Sequence, residues 1–224
     1  MEPLAHRATG VTGSAPRPPI FLRLRYSYGV DSFETVLVNI LEAQGYWVRP
    51  SFKVELTKED KKKMLLPSCP RWELDTLAYK ANTNTLLILE CKSYLDSPGV
   101  KYASFGPGAE VAKSRYKLFL NPLIREVVFA RLVDQLATGG MCAPSPTVTL
   151  ALAAGHFASD ADRNWTRDLF VKNNWLLWDE EWIYQRLIEL AASDYQNQVS
   201  SVVSKLILRH LTRKKPAPKS APTS

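Results

Sequence analysis

The sequence predicts an α/β fold, a sandwich with a central mixed β-sheet flanked by helices. Three observations predict it. Periodic segments follow one another as helix, three strands, helix, strand, helix, strand, helix, the order of a sheet covered by helices. Two adjacent strand segments are joined by turn residues, so part of the sheet is an antiparallel hairpin and the whole is mixed. The second of these strands carries a near-continuous apolar run, as buried strands do. With 224 residues, 46% of them hydrophobic, the chain can build one such core in one domain.

The first helix is expected over Asp31–Gln44. Phe33, Val36, Leu37, Ile40 and Leu41 recur at helical spacing and form one apolar face. Asp31 can cap its start, and Gly45 can end it. A strand then begins at Tyr46-Trp47-Val48-Arg49. The polar stretch Thr57–Met64, with Lys61, Lys62 and Lys63, reads as a loop. Trp72–Lys80 and Thr85–Lys92 read as strands, the second through the run Leu86-Leu87-Ile88-Leu89. Ala81–Asn84 between them has turn chemistry, which makes the pair a hairpin.

Asp96–Gly99 and Gly106–Gly108 bracket a flexible loop, after which a helical pattern resumes at about Ala109–Leu120. Asn121 followed by Pro122 starts a helix that runs to Thr138, where Gly139 and Gly140 close it. Thr147–Ala153 is a further buried strand. Asp160–Lys172 is a helix, Trp175–Trp178 a short strand and Glu180–Ala192 a helix. Asp194–Leu211 is a last helix, with Val199, Val202, Val203, Leu206 and Ile207 on its apolar face. Residues 1–20, rich in Pro, Gly, Ser and Ala, read as a disordered arm. The core domain is expected over 21–212, including a C-terminal helical extension. Residues 213–224 read as a basic, Pro-rich tail, either a solvated tail or a non-specific phosphate contact.

The 29 Lys and Arg against 22 Asp and Glu leave a net charge of +7, which suits a polyanionic partner such as nucleic acid. Cys69, Cys91 and Cys142 lack disulfide or zinc spacing, and the three histidines stand far apart. No apolar run is long enough to span a bilayer, and no secretory core is visible. The expected location is therefore cytoplasmic or nucleoid/nuclear, not secreted.

The chemistry concentrates at Asp75 and at Glu90-Cys91-Lys92. Asp75 lies on the first strand of the hairpin, Glu90 and Lys92 on the second. Side chains alternate across a strand, so Glu90 and Lys92 share a face. Glu90 follows four apolar residues, a place where charge is costly without a purpose. Hydrolysis of a phosphodiester needs an electrophile on the phosphate, and hard oxygen ligands hold Mg²⁺, for which Mn²⁺ can substitute. Asp75, Glu90 and the Cys91 backbone carbonyl supply such oxygens. Lys92 beside them can orient or help deprotonate the attacking water. The bland alternative is a surface hairpin with a Glu–Lys pair.

These residues resemble the PD-(D/E)XK nuclease superfamily, which includes restriction endonucleases, Mrr-like enzymes and archaeal Holliday-junction resolvases. The matching stretches are Ser32–Leu37, Glu73–Tyr79 and Leu87–Ser93, and the element order is similar over roughly Asp31 to Trp178. The resemblance implies a restriction-endonuclease-like fold, with Asp75 and Glu90 as metal ligands and Lys92 as the catalytic lysine. It implies a further acidic residue at Glu34 and an active-site glutamine at Gln135. It also implies products with a 5′-phosphate and a 3′-hydroxyl. One departure is that Leu74, not proline, precedes Asp75.

Several of these residues have a second reading. Glu34 stands three residues after Asp31, which is also capping-box spacing. Gln135 is also an ordinary solvated helix residue. Lys61, Lys62 and Lys63 either grip phosphates or are merely solvated. Lys101, Tyr102 and Phe105 either close over substrate, with an aromatic ring on a base, or anchor their loop. Trp165, Trp175, Trp178 and Trp182 read as packing residues. The last helix serves either a homodimer or partner-subunit interface or its own sheet. The function expected is metal-dependent hydrolysis of DNA, as an endonuclease rather than an exonuclease, in restriction, repair or defence. The alternatives are a non-catalytic nucleic-acid-binding subunit that keeps the fold and a structural protein with a coincidental motif.

Overall fold

The computed structural model describes residues 31–69, 71–105, 115–194 and 196–213. The expected N-terminal arm, the basic tail beyond Arg213, the loop glycines Gly106 and Gly108, and the first half of the helical pattern from Ala109 lie outside them. Among the described residues the order is α1 (Ser32–Ala43), β1 (Trp47–Val54), α2 (Lys58–Lys63), β2 (Trp72–Lys80), β3 (Thr85–Lys92), α3 (Lys117–Leu120) and α4 (Pro122–Thr138). Then come β4 (Thr147–Ala154), α5 (Asp160–Lys172), β5 (Leu176–Trp178), α6 (Glu180–Ala192) and α7 (Val199–Arg213).

The five strands form one mixed sheet in the order β1-β2-β3-β4-β5. β1, β2 and β3 pair antiparallel, whereas β3, β4 and β5 are parallel. The start of β2 therefore lies at the same end of the sheet as the C-terminal ends of the other four strands. Ligand sites of parallel sheets form at this end.

Alternation along β3 and β4 divides the core into two layers. Leu86, Ile88, Leu150 and Leu152 pack with Val128, Leu132 and Phe170 of α4 and α5. Leu87, Leu89, Ala151 and Ala153 pack with Leu37, Ile40, Leu41, Ile183 and Leu190 of α1 and α6. Leu86 to Leu89 are all buried, each stabilising the fold by about 1.5–3 kcal/mol. Both faces of β3 are thus consumed by packing until the strand reaches Glu90.

The capping residues act as the sequence predicts. Asp31 accepts the Phe33 N–H at 2.7 Å, and Asn121 accepts the Ile124 N–H at 3.1 Å, with Pro122 at the first helical position. Gly45 follows α1 with φ +80°.

Several expectations need correction. The Lys-rich loop contains a helix, α2. Thr57 and Asp60 form a reciprocal capping box there, and Asp60 accepts from Arg131 of α4 at 2.9 Å. That ion pair between elements outweighs the poor pattern of a run of lysines. The last helix starts at Val199 rather than Asp194, where Ser200 accepts from Asn39 of α1 at 2.6 Å. Trp175 precedes β5 and packs on Phe119 and Phe170 instead. Trp178 and Trp182 stack in the core as packing residues, but Trp165 is 56% exposed.

Candidate active site

The site begins where the hairpin comes apart. The β2–β3 ladder ends at Thr76↔Leu89, while β3 stays paired with β4 as far as Lys92↔Ala154. Asp75 and Glu90 are the first residues beyond the last β2–β3 pair. On the β1 side the register passes from Pro50↔Thr76 to Phe52↔Leu74, leaving Ser51, with φ +49°, opposite Asp75. Leu74 and Leu77 enter the same core layer although they are three positions apart, so strict alternation fails between them. Asp75 stands in that break.

Its carboxylate turns to β3. Asp75 Oδ2 accepts the Cys91 backbone N–H at 2.8 Å and the Lys92 ammonium at 3.3 Å. Lys92 Nζ also donates to Glu90 Oε1 at 2.5 Å and to the Cys91 carbonyl at 3.0 Å. The three oxygens predicted to hold a metal therefore converge on one point, the position of the ammonium. The side chains of Lys92, Asp75 and Glu90 are 14%, 27% and 18% exposed, so the cluster is largely desolvated yet open to solvent.

Burial pushes the Glu90 carboxyl up to about 7; Lys92 opposes the shift and Asp75 adds to it. Burial pulls the Lys92 ammonium down, but Glu90 and Asp75 outweigh that and raise it above its usual range. Glu34, on the first turn of α1, is raised to about 7 by burial and then by the charge of Asp75. Gly155, whose N–H bonds the Lys92 carbonyl, explains how α1 reaches this place. A Cβ on it would lie 3.2 Å from the Phe33 ring, so α1 starts directly over the ends of β3 and β4. Capping is done by Asp31, whose carboxylate takes the Phe33 N–H. The electrostatics tie Glu34 to the carboxylate cluster.

No set of three or more His, Cys, Asp or Glu side chains at metal-holding distance occurs among the described residues. The donor set is two carboxylates and a main-chain carbonyl. That chemistry fits Mg²⁺, which is commonly bound through one or two carboxylates with water completing the shell. No family model, curated protein or solved structure matches the chain.

The remaining candidates divide. Gln135 has its amide engaged elsewhere: it accepts the Glu55 N–H at 2.9 Å and donates to the Lys53 carbonyl at 3.2 Å, clamping α4 to β1. Lys62 and Lys63 are exposed and Lys61 half-buried on α2, which follows β1 at the same end of the sheet as Asp75. Lys101 is exposed, and Tyr102 is half-buried with its N–H on Asp162 at 2.8 Å. Phe105 is buried against Tyr116, Phe119 and Phe170, which makes it an anchor of its loop. The three cysteines are free thiols, and Cys91 is buried beside Thr76.

Two tyrosines near the site escaped the sequence reading. Tyr116 is buried, hydrogen-bonds Tyr94 and feels the charge of Glu90, which together raise its hydroxyl well above the usual tyrosine range. Tyr94 had a partial signal, two positions past Lys92, although β3 ends at Lys92 and Tyr94 itself has φ +45°. Tyr116 had none, because only tertiary packing brings it there.

Proposed function

We propose that this protein is a Mg²⁺-dependent nuclease with a restriction-endonuclease-like, PD-(D/E)XK fold. It hydrolyses phosphodiester bonds in DNA, as an endonuclease. The observation that carries this reading is the convergence of Asp75 Oδ2, Glu90 Oε1 and the Cys91 carbonyl on Lys92 Nζ. Hard oxygens and one ammonium, desolvated at an open strand end, are what phosphodiester hydrolysis requires. A cluster that served only stability would be a poor investment, since burying charge seldom gains over packing apolar groups.

Asp75, Glu90 and the Cys91 carbonyl would hold Mg²⁺, which when bound supplies an electrophile for the phosphate oxygens. Lys92 orients the attacking water and offsets negative charge as it develops on the phosphate. Glu34 adds a carboxylate at the rim that can take a proton near neutral pH. The net charge of +7 and the lysines of α2 suit a polyanionic substrate.

The test is incubation of the chain with plasmid, linear, single-stranded and branched DNA, with and without Mg²⁺ or Mn²⁺. Asp75→Asn, Glu90→Gln and Lys92→Ala run in parallel. Cleavage should require the metal and disappear in all three variants, while DNA binding in EDTA persists. Variants that cut like the parent would sink the assignment at this site. A parent that binds DNA and cuts nothing would favour the non-catalytic binding subunit.

A further inference from the structure

We infer that Trp165 and Tyr102 form a stacking platform for an unpaired nucleobase beside the carboxylate cluster, so that the substrate is a strand that is single or locally opened. The inference rests on the nuclease reading and names its substrate class.

The platform lies at the C-terminal end of the parallel strands, on the path that leaves the site. Gly155 donates to the Lys92 carbonyl at 2.9 Å. Two residues further, Phe157 pairs with Val100 in a parallel bridge, fastened by Val100 N–H to His156 and Ala158 N–H to Val100, at 3.0 and 2.9 Å. Two residues of chain separate the Lys92 contact at Gly155 from the bridge at Phe157, at most about 7 Å of backbone. Tyr102 follows Val100 by two residues, and its ring lies 5.9 Å from Trp165 of α5, tilted by 56°.

Packing does not account for Trp165. The turn carrying Tyr102 is already anchored by the Val100 bonds, by the Tyr102 N–H on Asp162 and by buried Phe105. Trp165 keeps 56% of its surface exposed. A large apolar ring left in water and braced by a second ring matches what a base needs, because every base offers a π-face. Lys101, exposed and next to Tyr102 in the chain, adds a cation that a backbone phosphate can use. A duplex keeps its bases stacked on each other and offers none to this platform.

The experiment measures binding of fluorescein-labelled oligodeoxythymidylate and of a blunt duplex to the full chain in EDTA. The parent, Trp165→Ala and Trp165→Phe are compared at low and high salt, with a thermal melt of each. Trp165→Ala should weaken single-strand binding by about five- to hundredfold, and duplex binding by no more than about twofold. The loss should persist at high salt, which screens phosphate contacts and not stacking. Trp165→Phe should retain most of the affinity. Single-strand binding by Trp165→Ala equal to the parent's overturns the platform and leaves the nuclease reading standing. A parent that binds single strands through Trp165 and cleaves nothing with Mg²⁺ leaves the platform and removes the nuclease. A parent that binds neither probe removes both.

Discussion

The Cys91 backbone N–H donates to the Asp75 carboxylate at 2.8 Å, just past the last pair of the β2–β3 ladder. Asp75 thus serves two purposes: it accepts a buried main-chain donor and it faces Lys92. The two can be separated. Asp75→Asn keeps an oxygen for the Cys91 N–H, whereas Asp75→Ala leaves that donor unsatisfied at a cost of about 1–3 kcal/mol. Both variants should lose cleavage, and only the alanine variant should melt well below the parent. Equal melting temperatures for the two would show that the main-chain bond contributes nothing.

Lys92 is the only cation hydrogen-bonded to the two carboxylates among the described residues. Removing it leaves Asp75 and Glu90 facing each other without compensation. Lys92→Met should abolish cleavage and destabilise the fold by about 2–4 kcal/mol near pH 8. The penalty should shrink near pH 5, where Glu90 takes up a proton. Chemical denaturation at the two pH values checks this, and a penalty independent of pH would count against the cluster.

Glu90 and Glu34 are both raised to about 7 from 4.5. A carboxyl with a raised folded pKa binds its proton more tightly in the folded state. Its stabilisation is fully present below 4.5 and is lost as pH rises through about 7. Glu90→Gln, which imitates the protonated form, should therefore raise Tm by about 2–8 °C at pH 8 and hardly at all at pH 4.5. Mg²⁺ competes with the proton on Glu90, so the affinity for Mg²⁺, read from the metal dependence of cleavage, should tighten as pH passes 7. A Mg²⁺ affinity that is the same at pH 5.5 and 8.5 would contradict this assignment.

Gln135 joins α4 to β1 through two main-chain bonds, to Glu55 and Lys53. Gln135→Ala should cost about 1–2 kcal/mol of stability. Cleavage per folded molecule should stay close to the parent's. A large fall in rate with unchanged stability would instead place Gln135 in the chemistry.

The sequence by itself determined the layered architecture and the hairpin that carries Asp75, Glu90 and Lys92. The apolar periods of α1 and β3 and the turn chemistry before Thr85 are local signals, and local signals survive without a partner chain segment. Alternation alone placed Glu90 and Lys92 on one face. Tertiary structure decided the rest, because the rest depends on residues distant in sequence. Three adjacent lysines form no apolar face; the Thr57–Asp60 box that starts α2 is a local spacing legible in the sequence, but the Asp60–Arg131 pair that holds α2 on α4 is not. Alternation does not reveal that it fails at Asp75, opposite Ser51 with its positive φ. Packing of Phe33 over Gly155 brings Glu34 to the strand ends, and an aromatic cluster brings Tyr116 near Glu90. Burial likewise divided the aromatic residues, drawing Phe105 into the core and leaving Trp165 in water. A residue's type says what it can bury, and only the surrounding chain says how much of it is buried.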